Sequence, residues 1–158
     1  MTASVTREIA ATPGVIWAVV SDITRMGQWS SECYDCQWDS DHEPGVGATF
    51  TGHNRLGDKE WSNHATVVEW SPPEQLVWEV RLAGQARDLF GDDPFARWEF
   101  SIAQKDAGSL LTQTTEDLRS DKLVAASLAF LPDVPDRRQR NLDMMATTLA
   151  AIAEACET

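Results

Sequence analysis

Apolar and polar residues alternate with period two through much of the chain. The pattern is clearest over residues 76–82, where Leu76, Trp78, Val80 and Leu82 fall on one side and Glu79 and Arg81 on the other. Such alternation is the mark of an antiparallel strand with one buried face. Residues 97–102 repeat it, with Trp98 and Phe100 together and Arg97 and Glu99 opposite. Further strands are expected at 5–9, 34–38, 48–55, 62–70 and 110–118, separated by turn signals such as Pro44-Gly45, Pro72-Pro73 and Asp106-Ala107-Gly108.

Helical spacing appears in two places. Thr12 followed by Pro13 is a helix start, and Ile16, Val19, Val20 and Ile23 recur behind it, with Ser21-Asp22 opening a second short helix that carries Met26 and Trp29. Near the other end, Leu142, Met145, Leu149, Ile152 and Cys156 step by three and four along one face of a long helix that begins after Pro135. Residues 123–131 form an apolar patch stopped by Pro132, which reads as a shorter helix or lid.

The expected order is strand, two short helices, six strands in series and one long helix. This is an α+β fold with a curved, seven-stranded antiparallel sheet wrapped around the long C-terminal helix. One helix is too narrow to cover the concave face of such a sheet, so a cavity between the two is expected.

Composition narrows the function classes. The 158 residues carry 13 basic against 25 acidic side chains, a net charge of −12. That excludes nucleic-acid binding by bulk electrostatics and attraction to anionic membranes. No run approaches the roughly 18 apolar residues of a membrane span, and residues 1–9 lack the pattern of a leader, so a cytoplasmic protein without membrane insertion is expected. Length and the ordinary 42% apolar content point to one domain over residues 1–158. Seven tryptophans against a single tyrosine are unusual, and large rings need room.

Residues 5–9, the Ala11-Thr12-Pro13 and Val15-Ile16-Trp17 start, the Val20-Ser21-Asp22 and Trp29-Ser30 stretch, and Trp98-Glu99-Phe100 together resemble the helix-grip superfamily of START domains and Bet v 1-like allergens. Within it the chain is most similar to the polyketide cyclase/dehydrase-like (SRPBCC) proteins. The resemblance covers the whole chain and implies a deep pocket between sheet and C-terminal helix. It supplies no catalytic signature to carry over.

Cys33 and Cys36 form a C-x-x-C pair without the second pair that zinc needs, and read as ordinary thiols at the start of a strand. The acidic run 39–43, with His42, reads as a solvated loop, and His53 as a surface side chain. Asn54 shares a face with Phe50 and Gly52, where a buried amide is either a satisfied structural group or a ligand-orienting one. The direction of His64 is left open by its strand, which is apolar on both faces. The expected lining is Trp29, Trp38, Phe50, Asn54, Trp78, Val80, Trp98, Phe100 and Thr112 from helix and sheet, with Met145 and Leu149 from the closing helix.

The favoured function is binding of a small apolar or aromatic molecule, without metal or cofactor. The alternative is a polyketide cyclase/dehydratase-like enzyme using Asn54, with His64 or Thr112 handling protons. A protein-interaction or regulatory module is the second alternative.

Overall fold

The computed structural model describes residues 1–41 and 43–157; His42, expected in a solvated loop, lies outside the described residues. The elements are β1 (Thr2–Ile9), α1 (Pro13–Val20), a 3-10 turn (Ile23–Arg25), α2 (Met26–Trp29), β2 (Cys33–Trp38), β3 (Thr49–Leu56), β4 (Lys59–Ser71), β5 (Gln75–Leu82), α3 (Gly84–Phe90), β6 (Ala96–Lys105), β7 (Gly108–Asp117), α4 (Asp121–Phe130) and α5 (Arg137–Glu157). The expected order holds, with α3 as an addition.

Local chemistry sets several of these boundaries. Thr12 caps α1 through its hydroxyl, which accepts from the Val15 N–H, and Pro13 takes the first turn, where its missing N–H costs nothing. Ser120 caps α4 in the same way on the Leu123 N–H at 3.2 Å. Gly27 is required by proximity, since a Cβ there would lie 2.4 Å from the Tyr34 carbonyl oxygen. That contact seats α2 against the first residues of β2.

The seven strands form one curved antiparallel sheet in the order β1-β7-β6-β5-β4-β3-β2. Cross-strand register assigns its faces, because paired residues share a side and neighbours along a strand do not. One inner row runs Ala3, Thr115, Trp98, Trp78, Val67, and the next runs Val5, Gln113, Phe100, Leu76, Trp70. Glu79, Arg97 and Glu99 fall on the outer face as expected, with Arg97 Nη2 bonded to Glu79 at 2.7 Å.

The helix α5 lies against β1, β7, α1 and α2. Its buried face is Met145, Thr148, Leu149, Ile152, Ala153 and Cys156, the periodic face read from sequence, with Leu142 only half-buried. Side-chain bonds anchor it at both ends and in the middle. Glu157 Oε2 accepts from the Ala10 N–H at 2.9 Å, Thr148 donates to the Trp29 carbonyl at 3.1 Å, and Arg137 and Arg140 both donate to Glu32 at 2.9–3.1 Å. Glu32 is only 6% exposed, so this carboxylate relies on its arginines for compensation. No helix among the described residues is long and apolar enough to cross a membrane.

Candidate functional site

The concave face carries a continuous aromatic row. Trp17 meets Trp70 edge-on at 5.2 Å, Trp70 meets Trp38 at 6.4 Å, Trp38 meets Phe50 at 5.5 Å, Phe50 meets Trp78 at 6.1 Å, and Trp78 meets Phe100 at 5.8 Å. Edge-to-face pairs at these separations contribute about 0.5–1.5 kcal/mol each beyond the area they bury. Five of the six rings sit on strands, because alternate positions of the adjacent strands β2 to β6 face inward, and Trp17 joins them from α1.

This row changes the expectation of a deep central cavity. Phe50, Trp78, Val80, Phe100 and Leu149 share one packed core as expected, almost devoid of accessible surface, Trp78 at 5%, and Met145 is buried as well. In the centre, sheet and helix meet through side chains. Accessible inner surface lies toward one end, where Asn54, Trp61, Asn63 and Leu82 are half-buried, and continues at half-buried Trp98, level with Trp78 and four residues along the sheet from Leu82. Register places these five on the concave side: Asn54 opposite Trp61, Asn63 opposite Gly52 and Leu82, and Trp98 opposite Trp78.

The helix α4 covers this end loosely. None of its residues is fully buried. Phe130 packs edge-on against Trp61 at 5.9 Å, Lys59 lies 5.6 Å from the Phe130 ring, and Lys122 lies 5.4 Å from the Phe90 ring of α3. The space between α4 and the start of α5 is about 50 Å³, lined by Val124, Leu128, Leu131 and Val134 with Arg119 and Arg137. That is smaller than one aromatic ring system, and none of Asn54, Trp61, Asn63, Leu82 and Trp98 lines it.

Two sequence candidates face the wrong way. Thr112 pairs with Thr6, and the two hydroxyls bond at 2.9 Å on the outer surface. His64 is exposed, with Nδ1 3.3 Å from the Thr51 hydroxyl on the same outer side. Both proton-handling candidates thus lie outside, and of the three residues named for enzymatic chemistry only Asn54, expected to orient a carbonyl, faces the interior. His53 lies on the outer side as expected, bonded to Ser62 at 2.6 Å.

The buried inward polar groups of β7 are instead Ser109, Gln113 and Thr115, which sequence reading passed over. Gln113 is 7% exposed, and its Oε1 is buried without a hydrogen-bond partner. The other such atom among the described residues is Nε1 of Trp29, a half-buried side chain on α2 whose ring lies 4.9 Å from the Arg25 guanidinium.

Cys33 and Cys36 are more than neighbours in sequence. Residues three apart in a regular strand face opposite sides, but a shift of register between Cys33 and Asp35 turns both inward. Their sulfurs lie 3.4 Å apart, with the Met26 sulfur 3.8 Å from that of Cys36. Gly52 leaves the room, since a Cβ there would sit 3.4 and 3.7 Å from the two sulfurs. The hydrogen bond given by Cys36 favours a thiolate at Cys33 and holds its pKa below the usual thiol value, while the same bond and burial push Cys36 up. Burial raises Cys156 as well. All three thiols are free.

Comparison with known proteins places the chain. A family model described as polyketide cyclase / dehydrase and lipid transport matches residues 1–151. The protein belongs to that family. Among solved structures, this polyketide cyclase/dehydrase family member is similar to the Polyketide_cyc-like protein Cgl2372 from Corynebacterium glutamicum, at 27% identity and a TM-score of 0.59 over 99% of this chain and 88% of that one. It also shares its fold with protein CV1439 from Chromobacterium violaceum, at 15% identity and a TM-score of 0.68 over 100% and 99% of the two chains. The di-domain ARO/CYC BexL from the BE-7585A biosynthetic pathway superposes with a TM-score of 0.74 at 12% identity, over 100% of this chain and 50% of that one. No curated protein matches the sequence.

Proposed function

We propose that this family member binds a small, flat, apolar molecule at the open end of its concave face, beneath α4. The observation that carries the reading is the half-buried inner surface of Trp61, Leu82 and Trp98, with α4 held at the Trp61 end by the Phe130 ring. Large rings left half-covered next to a filled core offer stacking faces and apolar area to a guest. Asn54 and Asn63 supply amide groups at the same end, suited to orienting a polar edge.

Membership of a family whose description includes both cyclase/dehydrase chemistry and lipid transport supports a small-molecule ligand. The binding reading is favoured over an enzymatic one because His64 and Thr112 lie outside.

The test is titration with a neutral fluorescent probe such as N-phenyl-1-naphthylamine. Wild type should bind with a Kd of around micromolar, the range that burial of a ring-sized ligand supports. Trp98→Ala should weaken binding about tenfold by removing a stacking face, whereas Glu99→Gln, its outward neighbour, should leave it unchanged. Absence of binding below millimolar probe, or equal binding by both variants, would overturn the reading.

A further inference from the structure

We infer that Gln113 is a specificity-determining residue, whose Oε1 accepts a hydrogen bond from a neutral donor on the leading edge of the ligand. This rests on the binding reading above and deepens it, by naming the chemistry that the deep end of the site accepts.

The argument begins with an unmet requirement. A buried amide oxygen without a partner forfeits its hydration, and native structures rarely leave such a group unmatched unless it has work to do. Gln113 is more than nine-tenths buried and faces the concave side, in one row with Val5 and Phe100. Its Oε1 has no hydrogen-bond partner.

Position gives the group its meaning. Thr115 lies opposite Trp98, and Gln113 is two residues deeper along the same strand and the same face. Two residues of strand advance about 6.6 Å, close to the length of a fused two-ring system. Phe100, beside Trp98 on the same face, fills that level in the free protein, so a flat guest stacked at Trp98 brings its leading edge to Gln113 by turning the Phe100 ring aside.

The chemistry of that edge follows from the surroundings. The row neighbours Val5, Phe100 and Leu76 are apolar, so a charged group there would lack compensation. A purely hydrocarbon edge would leave the Oε1 unpaired. A hydroxyl or amide N–H satisfies the acceptor without bringing a charge.

An isosteric pair of probes tests this: 2-naphthol, which carries a donor, and 2-methylnaphthalene, which has the same shape without one. Wild type should bind 2-naphthol about tenfold tighter, the range expected for one buried hydrogen bond. Gln113→Met should abolish that preference while keeping affinity for 2-methylnaphthalene within about threefold, since a thioether fills the same volume. Gln113→Leu should behave alike and gives a second, independent replacement. Neither variant should be less stable than wild type by thermal unfolding, because an unpaired polar group is removed. Equal affinity of wild type for the two probes, or a preference that survives both substitutions, would overturn the inference and leave the binding site standing. A marked loss of stability in both variants would make Gln113 a structural residue and overturn it equally. Failure of wild type to bind either probe would remove the binding reading and this one with it.

Discussion

At the scale of single residues, the paired thiols make the sharpest statement. The hydrogen bond between the two thiols holds the Cys33 pKa down, so Cys33 should hold more thiolate at neutral pH than Cys156, whose pKa burial raises. Alkylation with iodoacetamide, followed by peptide mass spectrometry from pH 6 to 9, should modify Cys33 at lower pH than Cys156. Cys36→Ala should shift the Cys33 profile to higher pH; an unmoved profile would show that the contact does not control reactivity. The pairing was hidden in the sequence because spacing alone sends the two side chains to opposite faces, and only the bulge beside Tyr34 reverses that. Gln113 was hidden for a related reason. Thr112, Gln113, Thr114 and Thr115 offer no contrast between apolar and polar positions, so their facing is decided by Val5 and Phe100 across the sheet. Trp78 and Phe100 stood in clean alternation, and their inward direction was legible at once.

At the scale of elements, α5 and α4 differ in how they are fastened. The start of α5 is held by Glu32, a buried carboxylate between two partly exposed arginines. Removing the acid frees both arginines to reach water, whereas removing the arginines strands a carboxylate in the interior. Glu32→Ala should therefore cost about 1–2 kcal/mol in urea unfolding, and the double substitution Arg137→Ala, Arg140→Ala about 3–5 kcal/mol; the reverse ranking would show that the acid is not the dependent partner. By contrast, α4 rests on ring tips. Hydrogen exchange read by mass spectrometry should find its amides unprotected while those near Leu149 and Ile152 persist, and equal protection would remove α4 as the movable cover. Helix α5 announced itself through its three-and-four spacing, and α4 through an apolar patch ended by Pro132. Helix α3 gave no such sign, being seven residues long with no fully buried side chain. The partners of Glu32 were equally silent, lying more than a hundred residues away along the chain.

At the scale of the whole molecule, a net charge of −12 makes the folded chain repel itself. Raising sodium chloride from about 10 to 150 mM shortens the screening length to about 8 Å and should raise Tm. A falling Tm would mean that surface pairs such as Arg97 with Glu79 contribute more than the repulsion does. A different consequence follows from β1 sitting between β7 and α5. The first strand finds its sheet partner only in residues 109–116, and the Ala10 amide meets its acceptor only at Glu157. At about 5–20 residues per second of synthesis, β1 waits roughly 5–20 seconds for β7 to be made. The row of rings waits longer still, since α5 follows β7 and α4 along the chain, so a newly made chain shows its stickiest surface until α5 has been made.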